Sequence, residues 1–330
     1  MAGGPSTPAL AAAVAEAGGL GFLGAGYKTA DAVREDIEAV RALTRRPFGL
    51  NLFAPPQPVA DPEAVERFTA TLEREADRSG VPLGEPRHDD DGWGEKLALA
   101  AEMAVPVVSF TFGCPPRGDV RALQHGGAAV WVTVTRPEEA VEAAEAGADA
   151  LVVQGAEAGG HRATFDDAAP GDIGLLALLQ LVQGVVELPL IATGGIATGR
   201  GVAAVLAAGA SAAALGTAFM LCPEAATAPA HRDAIAAPGD TALTRAYTGR
   251  TARGIVNRWL REHDDAPSAY PDIHYVTTKI RVAARAAGDP DGFHLWAGQA
   301  HTLAEPVPAG ELVVRLAAEA RAALRAATAQ

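Results

Sequence analysis

Leu188–Phe219 reads LPLIATGGIATGRGVAAVLAAGASAAALGTAF. Its order is strand, Gly-Gly turn, helix, short corner, strand and a second glycine turn, that of two consecutive βα units. The Gly-Gly pair ends one strand and Leu-Gly-Thr ends the next, so each turn exposes backbone N–H groups with no side chain in the way. In a (β/α)8 barrel, the last two units use this arrangement to hold a phosphate. Gly194, Gly195, Leu215, Gly216 and Thr217 are therefore candidate phosphate-site residues. The alternative is that these glycines only terminate strands and cap helices.

Working outward, the same rhythm of Ala/Val-rich helix, glycine corner and short apolar strand recurs in Ala11–Gly24, Glu139–Gly155 and Val202–Gly216. Such self-similarity predicts a repeated, parallel α/β architecture. Seven strands are expected, over Leu20–Leu23, Phe48–Phe53, Val105–Phe112, Ala128–Thr135, Ala150–Gln154, Leu188–Thr193 and Ala212–Phe219. They are nearly continuous apolar runs, as strands buried on both faces should be. A closed barrel needs eight. The chain opens in the loop MAGGPST, with Thr7 as N-cap and Pro8 at the first helical position, so the expectation is a barrel lacking its first N-terminal strand. An open seven-stranded sheet, or closure by a C-terminal segment such as Leu312–Leu316, is the alternative.

The predicted organisation is a barrel core over 1–222, a small and mainly helical cap over 223–290, and a C-terminal segment over 291–330. Pro223–Gly288 offers no convincing strand, and Glu311–Ala327 reads as a helix packing back on the barrel. Asp89–Asp91 reads as a solvated loop rather than a metal site.

Composition narrows the function. The 330 residues are 49% hydrophobic but 5% aromatic, with a formal net charge of −13. The core must be built from Ala, Val and Leu, and with no basic cluster nucleic acids and anionic membranes are poor partners. No apolar run reaches the ~18–20 residues of a membrane span, and no secretory signal is visible. Cys114 and Cys222 lack CxxC partners and read as reduced thiols of a cytoplasmic protein.

The candidate acid/base group is His161, delivered by QGAEAGGH (Gln154–His161) at a strand end, where barrel enzymes place catalytic groups. A lone histidine is more often structural; the strand end, three nearby glycines and Glu157 favour a role in chemistry. The other seven histidines show no HExxH or His/Cys ligand spacing, so no metal is expected. Asn51 is polar inside the strand FGLNLF and must serve either a network or a ligand. Gln154 faces the same choice, and its place directly before the His161 loop favours function. Tyr270, Lys279 and Gln299 are candidates for a cap-lined substrate pocket, or else structural and surface residues.

At QGAEAGGHR the sequence resembles the nitronate monooxygenases, formerly 2-nitropropane dioxygenases, and within them the class I bacterial group. The resemblance also rests on MAGGPSTPALAAAVAEAGGLGFLGAGY, FGLNLF, DIGLLALLQLV, ATGGIATGRGVAAVLAAGA, LGTAFMLCPEA, TGRTARGIVNRW and LWAGQ, and it runs nearly end to end. It implies a (β/α)8 barrel that binds FMN and no metal. By this resemblance Met1-Ala2-Gly3 would pass along the flavin ring, and Asn51, Gln154 and Gly159 would contact FMN. Gly195 and Ala214–Thr217 would hold its phosphate end, and His161 matches the catalytic histidine. The implied reaction is oxidation of a nitronate or nitroalkane by O2 to a carbonyl compound and nitrite. The chain departs from the pattern in lacking a strand before Met-Ala-Gly, in Ala214 where Gln is common, and in Arg162-Ala163 where Arg-Gly is usual. FMN-dependent NAD(P)H:quinone and enoyl-acyl-carrier-protein reductases share the fold and glycine motifs and are the alternative. A flavin-poor, non-catalytic barrel is a further one. The oligomeric state is left open, a homodimer included.

Overall fold

A computed structural model describes residues 1–328; the last two residues of the predicted 291–330 segment lie outside it. All seven expected strands form. β1 (Gly21–Gly24), β2 (Phe48–Phe53), β3 (Val107–Thr111), β4 (Ala129–Val134) and β5 (Ala150–Gln154) run in chain order. β6 (Gly160–His161) leaves the series, and β7 (Leu190–Thr193) and β8 (Ala212–Ala214) complete it. The sheet order is β1-β2-β3-β4-β5-β7-β8, every pair parallel. This is a curled (β/α) barrel sheet with helices outside. Leu50, Val108, Val130 and Leu151 have no exposed surface, as two-faced burial requires. The final strand is shorter than expected, because Thr217–Phe219 turns into a 3₁₀ helix.

Within the described residues β1 and β8 are not paired to each other. The N-terminal loop lies against both of their C-terminal ends. A Cβ on Gly24 would stand 2.8 Å from the Ala2 nitrogen, and one on Gly216 would stand 3.5 Å from Met1 Sδ. Gly24 is thus what lets the loop lie on the strand end. The first helix, Pro8–Glu16, begins as expected: the Thr7 hydroxyl accepts the Leu10 N–H. The last, Ala309–Thr328, packs on Pro8–Glu16 and Gly199–Ala207.

The region after Cys222 is mainly helical, as expected, but it corrects the expectation that it holds no strand. β9 (Thr241–Thr244) and β10 (Ala252–Ile255) lie there, and β6 joins them in an antiparallel sheet of order β6-β10-β9. Neither TALT nor ARGI alternates polar with apolar residues, so neither announces itself; β10 is nonetheless wholly buried. Helices Pro229–Ala236, Arg258–Glu262 and Asp272–Ala287 belong to the same region. An apolar cluster of this region joins Val65, Phe68 and Leu72 from far upstream to Tyr247, Trp259, Ile273 and Val276. β6 ties this layer to the barrel, and β6 carries His161.

Candidate active site

The C-terminal ends of β2, β3, β5, β7 and β8 open into one cavity of about 490 Å³, within the range of small-molecule and cofactor sites. His161 lines it. So do Ala2, Gly3, Asn51, Gln154 and Gly159, and from the two glycine turns Gly194, Gly195, Ala214, Leu215, Gly216 and Thr217. Three expected pocket residues do not. Lys279 is exposed, and so is Gln299, whose N–H donates to the Glu157 carbonyl (3.0 Å). Tyr270 stands one layer back, its ring against those of His161 (6.1 Å between centroids) and Phe112 (5.7 Å).

The floor is backbone. Gly194 (φ +120°) and Gly195 (φ +66°) adopt conformations that L side chains rarely reach, and a Cβ on Gly195 would stand 2.9 Å from Glu157 Cβ. No turn or loop hydrogen bond of the described residues engages the N–H groups of Gly195, Gly216 and Thr217, and Gly194 and Leu215 directly follow the paired ends of β7 and β8. Backbone donors left free beside a cavity fit an anionic oxygen cluster such as a phosphate. Asn51 resolves the choice left by its sequence: it serves a network and also lines the cavity. Its Nδ2 donates to Ser109 Oγ and Thr111 Oγ1, both at 2.9 Å.

His161 is held from several sides. Gln154 Nε2 donates to the His161 carbonyl (3.1 Å), while its Oε1 accepts from the Ala163 N–H (2.9 Å) and Arg162 Nη1 (3.2 Å). The imidazole Nε2 meets Thr248 Oγ1 at 2.9 Å. Phe112, Tyr270 and Trp296 surround the ring. Burial, reinforced by Arg250 and Arg281, pushes the His161 pKa down to about 3. The ring is therefore neutral at pH 7, with a lone pair available.

The facing wall is built of side chains, mostly ones the sequence reading missed. Helix Asp272–Ala287 turns His274, Thr278, Arg281 and Arg285 toward the cavity, at offsets of 4, 7 and 11 residues that share one helical face. Lys279 falls outside that stripe. Arg281 reaches His294 Nδ1 and His274 Nδ1, both at 3.2 Å, and Arg285 reaches His294 Nε2 at 3.1 Å. Burial and the nearby arginines hold His274 down to about 2 and His294 well below its usual value. Burial also takes His231, another lining residue, down to about 4. Among the described residues no Asp or Glu lines the cavity, although the chain carries 40 of them. The recurrence of His274, Thr278, Arg281 and Arg285 at helical spacing is the sequence signal that could have found this wall.

Two acidic groups elsewhere are satisfied by cations. Glu75, Glu262 and His263 converge, but Arg258 binds both Glu75 oxygens (2.7 and 2.8 Å) and Arg78 adds a third contact. Asp91 pairs with the buried Lys96 (2.7 Å) and accepts the Tyr27 N–H, so this end of the 89–91 run is anchored rather than simply solvated.

With this geometry in place, comparison with known proteins is informative. A family model described as "Nitronate monooxygenase" matches residues 1–319. A nitronate monooxygenase of Pseudomonas aeruginosa is 42% identical, over 96% of this chain and 94% of the relative. One from Paraburkholderia phytofirmans is 40% identical, over 96% and 89%. Among solved structures, the nitroalkane oxidase from Streptomyces ansochromogenes superposes with a TM-score of 0.97 at 50% identity, over 99% of this chain and 95% of that one. FabK from Thermotoga maritima gives 0.77 at 29% identity, over 100% and 93%. The drop between these last two tracks the sequence, and the chain belongs to the nitronate monooxygenase family.

Proposed function

We propose that this chain binds FMN and oxidises alkyl nitronates, and neutral nitroalkanes after deprotonation, by O2 to a carbonyl compound and nitrite. The observation that carries the reading is a single cavity with backbone donors on its floor, a neutral histidine at its side and, among the described residues, no carboxylate in its lining. The N–H groups of Gly194, Gly195 and Leu215–Thr217 would hold the phosphate. Asn51, Gln154 and Gly159 would border the ring system, and Ala2 and Gly3 would close its edge. When bound, the flavin would supply the redox chemistry of the oxidation.

The chain's own residues do the remaining work. Arg281 and Arg285, with no acidic residue to neutralise them in the lining, favour an anion such as a nitronate. Neutral His161 accepts the proton when the substrate arrives as the nitroalkane, and offers a polar contact when it arrives ionised. Phe112, Tyr270 and Trp296 keep bulk water from the imidazole. No helix of the described residues is long and apolar enough to cross a membrane. Cys114 and Cys222 are both free thiols, which supports a reducing, cytoplasmic setting.

The test is an anaerobic titration of the FMN-loaded protein with a nitronate, followed in the visible spectrum, and then admission of air. Bleaching of the flavin bands, with nitrite released on reoxidation, is the expected result. Bleaching by NAD(P)H but not by nitronate would overturn the reading in favour of a nicotinamide-dependent reductase.

A further inference from the structure

The segment TGRTARG, Thr248–Gly254, contributes no candidate site residue to the sequence reading, yet it grips the His161 loop at both ends. Arg253 Nε donates to the Ala156 carbonyl (3.0 Å), and Arg250 donates to the carbonyls of Arg162 (3.3 Å) and Thr164. The Arg162 N–H donates in return to the Thr251 carbonyl (2.8 Å). At the centre of this clamp Thr248 is 2% exposed and borders the cavity.

Its hydroxyl has three neighbours: His161 Nε2 at 2.9 Å, the Arg250 carbonyl at 3.3 Å and the Arg250 N–H at 3.4 Å. A hydroxyl has one hydrogen to give. Giving it to the Arg250 carbonyl lets the oxygen accept from Nε2–H, so that both contacts are made. Giving it to Nε2 leaves the carbonyl without that donor. With Nε2 turned to Thr248, Nδ1 is the ring nitrogen left to meet a substrate. Among the described residues neither carboxylates nor lysines face the ring. Its polar surroundings are Thr248, Tyr270, His274, His294, Arg250 and Arg281, so an orienting carboxylate of the triad kind is absent.

We propose that Thr248 is a positioning residue for His161: its hydroxyl accepts Nε2–H, passes its own hydrogen to the Arg250 carbonyl, and leaves Nδ1 as the proton-accepting nitrogen. In that step a C–H bond of the neutral nitroalkane breaks, its electron pair stays on the carbon–nitro unit as the nitronate, and the proton goes to Nδ1. The imidazolium so formed keeps the same Nε2–H···Oγ1 contact. The inference rests on His161 acting as the base in the proposed reaction.

The experiment joins nitrogen NMR of the ¹⁵N-labelled, FMN-loaded protein with kinetics of Thr248→Val and Thr248→Ser. In the wild type the His161 signals should show Nε2 protonated and Nδ1 bare; the opposite tautomer would overturn the proposal. In Thr248→Val the ratio of the nitroalkane rate to the nitronate rate should fall about 10-fold, and Thr248→Ser should recover it to within about 3-fold, at the modest end of general-base effects. An unchanged ratio in Thr248→Val would also overturn it. If Thr248→Val does not fold, the wild-type tautomer decides alone. A wild type inert toward both substrate forms would instead sink the proposed function, and the tautomer would still be read.

Discussion

The two walls of the cavity are made in opposite ways. The floor, from the turns after β7 and β8, presents peptide N–H groups and few side-chain functional groups. The facing wall, from helix Asp272–Ala287 and His294–Trp296, presents guanidinium, imidazole and indole groups, with Arg281 and Arg285 hydrogen-bonded to His274 and His294 and Trp296 stacked on His294. A backbone floor tolerates side-chain change as long as the turn survives, because its donors belong to every residue type but proline. A side-chain wall is specific to the residues that form it, and is where substrate preference can vary. His161 stands between the two, on β6, with its loop tied to β5 through Gln154 and to the second sheet through β10.

The largest effect should come from removing the group that serves both walls. His161→Ala is expected to lower turnover of neutral nitroalkanes by about 10²- to 10⁴-fold, the usual scale of a lost general base, and turnover of pre-formed nitronates by less. Steady-state rates on the paired substrates check this, and equal losses on both would deny His161 its proton-transfer role.

The floor is tested through conformation. Gly195→Val places a β-branched residue at φ +66° and its Cβ 2.9 Å from Glu157 Cβ. Strain of about 1–3 kcal/mol is expected, seen as a lower Tm together with weaker flavin retention on gel filtration. Full retention at wild-type Tm would mean that the turn is not the phosphate site.

The side-chain wall is tested through charge. Arg281 is one of the two cations that depress His161, so Arg281→Met should raise that pKa. The base works when neutral, and the neutral fraction grows as pH rises through the pKa. With a value of about 3 the wild-type kcat/KM on a nitroalkane should already be on its plateau at neutral pH. In the variant the acid limb should move to higher pH. Coincident profiles would remove Arg281 from the electrostatics of the site.

The smallest effect is expected outside both walls. Lys279→Ala and Gln299→Ala, at exposed positions, should shift KM by no more than about 2-fold, as surface changes within about 0.5 kcal/mol do. A larger shift in KM for either would extend the cavity wall beyond the stripe His274–Thr278–Arg281–Arg285.

Much of this was legible in the chain. The seven parallel strands were visible because strands buried on both faces must be apolar throughout, and the phosphate-type turns because only glycine suits Gly194 and Gly195. The small sheet was not: β6 has two residues, and TALT and ARGI satisfy their backbones in pairing without any pattern of hydropathy. Lys279 lies on the right helix but off its lining face. A shift of one residue from Thr278 turns a side chain about 100° around the helix, and that took Lys279 out of the cavity. Arg281, three residues beyond Thr278, falls back on the lining face.

By itself, then, the sequence determined the repeating βα architecture, the backbone floor and the strand end that carries His161, because each depends on local periodicity or on a residue's own conformational range. Only the tertiary structure decided what surrounds the imidazole. Thr248 is 87 positions from His161, and Arg281, His294 and Trp296 lie further along still. Contacts of that separation follow from how the second sheet docks on the barrel, and docking is set by burial summed over many residues rather than by any one of them.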